Sequence, residues 1–512
     1  MHPPREGGKC FCSRRLLIDR PAFSSYQKGG SEGRDMSIQA HAGGRLTTWL
    51  DKAPAPVFAA YAIIAAFTTY FCMYAFRKPF AAAKFEGQFF LGSAVALKTA
   101  IVISQILGYA LSKYIGIKVC SEVSPARRAA TLLILIIWAE LALVAYGLVP
   151  NNLKTVAIFL NGLPLGMVWG LVVWYLEGRR TSELLLAGLS CSYIVSSGMV
   201  KDFGRALMEG GVAEWWREVP LIGSPIGSAL GRVNEGWMPA ITGLHFLPLF
   251  LLAVWMLNRL PRPSDSDVAA RSERKTMTAA DRLAFVRQFA LGMASLCIAY
   301  FFLTAYRDFR DNYQVEIFDG LGYPYAKNKT IISKAETIVA FGVMVALASL
   351  TFIKDNRRGL LGAFLIMTGG LLSLGVSTVL LDAGAINGFW WMTLTGLGSY
   401  LAYVPFGSVL FDRLIASTRA AGTAVFAIYL ADAIGYTGSV GVQLFKDLSH
   451  REMSRLGFFR GFSHFMCVVG VTCMITSCIY FRHRHRRQSS EAARPSIPAV
   501  PEMGKMDLRN RP

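Results

Sequence analysis

Two arginines stand at equivalent positions in two similar segments of this sequence. Arg77 ends the segment Tyr-Phe-Cys-Met-Tyr-Ala-Phe-Arg, and Arg307 ends the segment Tyr-Phe-Phe-Leu-Thr-Ala-Tyr-Arg, 230 residues later. A guanidinium stays charged and presents planar, bidentate donors, which suit phosphate or carboxylate oxygens. A lone arginine at the end of an apolar segment is usually an anchor at the membrane headgroups. The match between the segments, and the apolar residues 80–83 beyond Arg77, instead predict an anion site that uses both arginines.

Other polar side chains lie near the arginines or on the next predicted helix. Lys98 shares one helix face with Gln105, Tyr109 and Ser112, and such a stripe lines either a cavity or a helix contact. Lys113 follows at the helix end, where the preference for basic residues on the cytoplasmic side would also place it. Three tyrosines within one or two turns of the arginines are either packing aromatics or hydroxyl donors: Tyr70, Tyr74 and Tyr300.

Three acidic residues lie inside apolar segments, where a charge is costly and therefore needs a reason. Glu140, Glu336 and Asp432 are each either proton-coupling groups or counter-charges of a Lys or Arg, and ion pairing is favoured for Glu336 and Asp432. His245 has no partner visible in the sequence and is interpreted as structural. Nine cysteines are scattered, and even the Cys10/Cys12 pair lacks the spacing of a four-ligand metal site. Nothing in the sequence implies a metal or a cofactor.

The composition is that of an integral membrane protein. Of 512 residues 53% are hydrophobic and 17% charged, and the mean hydropathy is +0.39. The apolar residues form blocks of about 20, the length at which a helix crosses the ~30 Å hydrocarbon layer. We predict an all-α membrane protein with twelve spans in two pseudo-symmetric six-helix bundles. The predicted spans are 57–83, 91–112, 131–149, 155–176, 184–205, 238–258, 287–306, 331–353, 359–381, 389–411, 421–444 and 461–481.

The polar segments divide the chain further. We predict a disordered tail at 1–50, bundles at 51–258 and 287–481, a linker at 259–286 and a basic tail at 482–512. Met36 is an alternative start, and 206–237 is predicted to be a loop with an interfacial amphipathic piece. Basic residues after the second, fourth and eighth spans, in the linker and in the tail place those segments and both termini in the cytoplasm. The formal charge of +20 is explained by these positions, so a nucleic-acid partner is not expected.

The sequence resembles the organophosphate:phosphate antiporters of the major facilitator superfamily, which are the glycerol-3-phosphate and hexose-6-phosphate transporters. The pattern Tyr70-x-x-x-Tyr74-x-x-Arg77-Lys78-x-Phe80 is similar to their first-helix motif, and 108–113 is similar to the end of their second helix. The resemblance implies that Arg77 and Arg307 grip the anion, with Lys78, Lys113, Tyr70 and Tyr74 at the same site. A family histidine on helix five is replaced here by Tyr193, and the loop at 116–122 lacks the usual Asp-Arg pair.

These observations favour a secondary transporter over an enzyme. Duplicated halves place a binding site at their interface, and alternating access follows when one half rocks against the other. We expect a monomer in the cell (inner) membrane that transports a small anionic, possibly phosphorylated, organic solute. Two alternatives stay open: a transporter-like sensor that binds such a ligand without moving it, and a membrane-embedded enzyme, for which no nucleophile motif or catalytic domain is present.

Overall fold

Twelve long helices make up most of the residues that this computed structural model describes. The structure describes residues 44–176, 179, 181–218, 223–261, 279–418, 424–449 and 452–492. The predicted tail residues up to 43, including Cys10, Cys12 and Met36, and much of the predicted linker lie outside these ranges. The long helices are α1 (Ala55–Arg77), α2 (Leu97–Glu122), α3 (Arg128–Leu148), α4 (Lys154–Leu176), α5 (Ser182–Glu209), α6 (Met238–Asn258), α7 (Ala290–Asn312), α8 (Ile331–Thr351), α9 (Asn356–Asp382), α10 (Gly388–Ser408), α11 (Ala424–Ser449) and α12 (Arg455–Ala492).

The all-helical membrane fold predicted from the sequence is confirmed. Each predicted span overlaps one of the twelve helices, which are 21 to 38 residues long. Within the described ranges, nine helices are long and apolar enough to cross a membrane. Helix α10 joins this group if it is counted with Leu410–Thr418, from which a 49° bend separates it. Helices α2 and α11 have the length of a span but are not among those nine, and their role as spans stays a prediction.

Several helix ends differ from the predicted boundaries, for local reasons. Helix α1 ends at Arg77 because Pro79 lacks an N–H, and a 3₁₀ turn, Pro79–Ala82, follows instead. Helix α2 begins at Leu97 and not at the predicted residue 91. The chain turns at Gly92, whose φ is 69°, and so cannot yet be helical there.

Helices extend into both predicted tails, of which residues 1–43 and 493–512 lie outside the described ranges. A short helix, Arg45–Lys52, occupies the end of the predicted 1–50 tail, and α12 continues through the basic residues to Ala492. The predicted loop 206–237 contains the end of α5 and two short helices, Gly211–Arg217 and Gly223–Leu230.

Helices α1 to α6 form one apolar cluster and α7 to α12 another, which we call the first and second bundles. The bundles meet where α5 packs against α8 and α2 against α11. A smaller cluster joins Ile194 of α5 to Val339, Val343 and Tyr400 of the second bundle. The sequence-similar segments that end in Arg77 and Arg307 therefore belong to different bundles.

Glycines bring α2 and α4 into close contact inside the first bundle. A Cβ atom on Gly108 would lie 2.3 Å from the carbonyl oxygen of Phe159, and one on Gly162 would lie 2.7 Å from that of Gln105. Such contacts leave no room for a side chain, as is common where membrane helices pack through small residues. This contact also fixes Gln105, whose side chain donates to the carbonyl oxygen of Arg77 at 2.6 Å.

Replacing Gly162 with leucine is expected to prevent α2 and α4 from packing, so that little monodisperse protein is recovered. The control is Gly369→Leu on α9, where an added Cβ meets no atom within 4 Å. Size-exclusion chromatography of the two detergent-purified variants measures the difference. Equal yields of monodisperse protein from both would show that the α2–α4 contact is not needed for folding.

Candidate anion-binding site

Arg77 lies at the end of α1 with its guanidinium among tyrosines. Its Cζ is 3.7 Å from the ring centre of Tyr109 and 5.5 Å from that of Tyr74, and its Nη1 donates to the Tyr74 hydroxyl at 3.4 Å. Within the described ranges it forms no ion pair, and its Nε has no acceptor. Arg77 is partly exposed although both of its chain neighbours are buried. The side chain is therefore partly accessible and has donors to spare.

Arg307 lies on α7 in similar aromatic surroundings but with an acidic partner. Its Cζ is 4.0 Å from the ring centre of Tyr403, and its Nη2 donates to Asp308 at 2.6 Å. Asp308 also accepts a hydrogen bond from Ser439 of α11 at 2.9 Å. Tyr74 lies within electrostatic reach of both arginines. The structure thus brings Arg77 and Arg307 to one region at the boundary of the bundles.

Aromatic rings from both bundles surround this region. Tyr109 and Tyr436 are 6.2 Å apart between ring centres, and Tyr193 and Tyr400 are 6.3 Å apart, so both pairs cross the boundary. The predicted site residues Tyr70, Tyr74, Tyr193 and Tyr300 all belong to this aromatic group. Its members are Tyr70, Tyr74, Tyr109, Trp169, Tyr193, Tyr300, Tyr400, Tyr403 and Tyr436.

Lys113 and Asp432 form an ion pair across the boundary, next to the aromatic group. Lys113 Nζ is 2.6 Å from Asp432 Oδ2, and the Tyr300 hydroxyl donates to Asp432 Oδ1 at 2.8 Å. Lys113 also lies 5.0 Å from the ring centre of Tyr436. Asp432 therefore compensates the charge of Lys113. This is the kind of ion pair that the sequence favours for Asp432.

The other two predicted lysines lie in contacts between the bundles and not among the tyrosines. Lys78 binds Asp311 at 2.5 Å and the side chain of Asn312 at 2.9 Å. Lys98 binds Glu316 at 2.5 Å and the carbonyl oxygen of Ala81 at 2.9 Å. Both possibilities left open for Lys98 apply, because it lies in a contact between helices and also lines a pocket with Glu316 and Asp319.

These contacts belong to a larger set of ion pairs at the end of the molecule where α1 ends and α2 begins. Lys84 binds Asp319 at 2.8 Å, and Lys201 binds Asp311 at 2.8 Å. In every pair of this set the cation comes from the first bundle and the acid from the second. We call the set the charged seal: Lys78, Lys84, Lys98, Lys201 and Arg205 with Asp311, Glu316 and Asp319.

The remaining acids differ in their surroundings. Glu336 pairs with Arg310 at 2.8 Å, and both side chains are buried. Glu140 on α3 is also buried, but neither of its oxygens has a hydrogen-bond partner within the described ranges. His245 is held by Trp216 and the Ile241 carbonyl oxygen, at 3.0 and 2.8 Å. An unpaired carboxylate is costly in an apolar interior, so we expect Glu140 to be neutral.

The neutral isostere at Glu140 is therefore expected to be tolerated. Glu140→Gln should change the free energy of unfolding by less than about 1 kcal/mol, because no ionic contact is lost. Glu336→Gln is the matched comparison, and it should cost about 3–5 kcal/mol by leaving Arg310 buried without its acid. Thermal melting of the two purified variants measures the contrast. A loss at Glu140→Gln as large as that at Glu336→Gln would mean that Glu140 is ionised.

The fold is shared with solved membrane transporters. A bacterial homolog of the human lysosomal transporter Spinster, inward-facing and unoccupied, has a TM-score of 0.51 at 13% identity, covering 87% of this chain and 100% of that chain. A D-xylose–proton symporter has a TM-score of 0.52 at 13% identity, with coverages of 81% and 96%. The nucleoside transporter NupG has 0.50 at 13% identity, with coverages of 83% and 99%. The fold is thus that of the major facilitator transporters.

The chain belongs to the family described as "Family of unknown function (DUF5690)". The family's sequence profile matches residues 79–228 and 221–484, which is most of the described chain. The match includes Arg307 and the charged seal except Lys78, and it begins just beyond Arg77. No curated protein matches the sequence.

Proposed function

We propose that this protein is a secondary transporter of a small organic anion, bound between the bundles by Arg77 with Arg307 opposite. The observation that carries the proposal is the state of Arg77: a charged, partly exposed guanidinium at the bundle boundary without an acidic partner in the described chain. A charge that is mostly removed from water and has no counter-charge is costly. A bound anion would remove that cost, which gives the arrangement a physical reason.

The charged seal supports alternating access in this proposal. It holds the bundles together at one end, through Lys78, Lys98 and Lys201 on one side and Asp311 and Glu316 on the other. If the termini are cytoplasmic, as the basic residues predict, this closed end faces outward and the anion enters from the cytoplasmic side. Transport then requires that the seal opens while the opposite end closes.

The test is ligand-induced stabilisation of the purified full-length protein, followed by counterflow in proteoliposomes. The panel is inorganic phosphate, glycerol 3-phosphate, glucose 6-phosphate, succinate and benzoate. A ligand at 100 times its Kd adds about 2.7 kcal/mol to the folded state, enough to shift the melting temperature. An anion that stabilises the protein and exchanges across the membrane supports the proposal. Binding without exchange would favour the sensor, and stabilisation by none of these anions would contradict an anion site.

A further inference from the structure

The positive charges around the site are unequally compensated. Arg307 is neutralised by Asp308 at 2.6 Å, and Lys113 is neutralised by Asp432 at 2.6 Å. Arg77 has only tyrosines around its guanidinium within the described ranges, so it is not neutralised. These three cations therefore leave one positive charge without a partner.

One uncompensated charge matches one negative charge on a ligand. A monoanion at Arg77 would leave the site neutral. A dianion would bring a second charge to a site whose other two cations, Arg307 and Lys113, already have one acidic partner each. That charge would remain largely unpaired in a desolvated site, or would have to displace Asp308 or Asp432 from its partner. Both alternatives cost free energy.

The rings around Arg77 and Arg307 indicate the shape of the ligand body. The guanidiniums lie over the faces of Tyr109 and Tyr403, and Tyr300 and Tyr403 are stacked with 5.3 Å between ring centres. Offset-stacked and edge-on arrangements of aromatic rings add attraction beyond their buried area. A planar ring can pack offset or edge-on against such an aromatic group, whereas a short hydroxylated chain gains less from it.

We infer that this site selects an organic monoanion with a planar, apolar body over a dianion such as a phosphate monoester. The inference rests on the proposed anion site and narrows its substrate class. It also departs from the dianion that the resemblance to organophosphate antiporters favours. Asp308 is the residue that sets the charge selectivity, because its carboxylate is what neutralises Arg307.

The first test compares two probes that differ by one charge. Phenyl sulfate and phenyl phosphate have nearly the same shape, and at about pH 8 the phosphate is a dianion because its second pKa is about 6. Melting curves of the purified protein with increasing probe give the two Kd values. We expect phenyl sulfate to bind at least about tenfold more tightly than phenyl phosphate. Methyl sulfate, which has the same charge and no ring, is expected to bind more weakly than phenyl sulfate.

The second test changes the charge of the site. Asp308→Asn removes the neutralising carboxylate, so the preference for phenyl sulfate should shrink by about tenfold or reverse. Ser439→Ala is the matched control, because it removes a hydrogen bond to Asp308 and leaves every charge in place. If the Asp308 variant does not fold, the wild-type comparison alone still decides the inference.

The outcomes separate this inference from the function on which it rests. Tighter binding of phenyl phosphate than phenyl sulfate to the parent protein would overturn the monoanion class while leaving an anion site in place. An unchanged preference in Asp308→Asn would overturn the role of Asp308. If inorganic phosphate or glycerol 3-phosphate binds and neither phenyl probe does, the preference for a planar ligand body is wrong. Stabilisation by none of the anions would remove the proposed function as well.

Discussion

Replacing Arg77 by lysine is expected to weaken binding of the transported anion by about 10- to 100-fold while leaving the ligand-free protein as stable as before. Lysine keeps the positive charge but loses the planar, bidentate donor and the face-to-face contact with Tyr109 at 3.7 Å. Hydrogen bonds that involve charged groups contribute about 1.5–3 kcal/mol, which corresponds to this loss of affinity. The unfolding free energy should change little, because Arg77 forms no ion pair in the described chain.

The informative comparison is Arg310→Lys, three residues beyond Arg307 on α7. Arg310 is buried, binds Glu336 at 2.8 Å and donates to the carbonyl oxygen of Met392 at 2.8 Å. Its replacement should therefore lower the melting temperature of the ligand-free protein. Titrating both variants with the best anion of the panel, by melting and by calorimetry, separates the two roles. If the Arg77→Lys protein binds the anion as tightly as the parent does, Arg77 is a helix-end anchor and not a ligand-binding residue.

Asp311→Asn is expected to be the most destabilising single substitution in the charged seal. Its carboxylate binds Lys78 at 2.5 Å and Lys201 at 2.8 Å, and it also accepts from Ser197. The side chains of Lys78 and Lys201 are 6% and 0% exposed, so water cannot replace the lost partner. Breaking a buried pair costs about 3–5 kcal/mol, and here one acid serves two cations.

The control for this prediction is Asp382→Asn. Asp382 also pairs with an arginine, Arg460, but both side chains are about 40% exposed. Exposed pairs contribute at most about 1 kcal/mol, so this variant should melt close to the parent. Replacing Lys201 by methionine in the Asp311→Asn protein should recover part of the loss, because one of the two unpaired cations is removed. Equal melting temperatures for Asp311→Asn and Asp382→Asn would mean that the seal does not hold the bundles together.

The sequence predicts the helices and the pair of arginines because both are local signals. A span is recognised from about 20 apolar residues, and the two arginines from a repeat that needs no structure. The helix ends at Arg77 and Leu97 differ from the span limits that hydropathy predicts. Apolar residues continue past Pro79 and also precede Gly92, although the backbone leaves the helical path at Pro79 and turns at Gly92. Hydropathy alone does not register a missing N–H or a positive φ.

The partners of the charges could not be predicted, because they come from the other bundle. Lys78 meets Asp311, which lies more than 200 residues away, and no spacing in the sequence indicates that contact. Lys201 was missed although a signal exists: it is a charged residue inside the predicted span 184–205, where a charge needs a reason. Asp308 and Asp311 follow Arg307 closely in the sequence. The structure gives their roles, one neutralising Arg307 and the other closing the seal.

The charged seal also bears on how two similar halves came to form one molecule. Within the described residues, its cations belong to the first bundle and its acids to the second. Lys84 precedes the segment Phe85-Glu86-Gly87, and Asp319 lies inside the similar segment Phe318-Asp319-Gly320. Two copies of the first bundle would bring like charges together, and so would two copies of the second. Self-pairing through an isologous interface would require each half to complement itself. The two repeats therefore differ in charge at this surface. The surface is complementary only where a first half meets a second half, as it does in the fused chain.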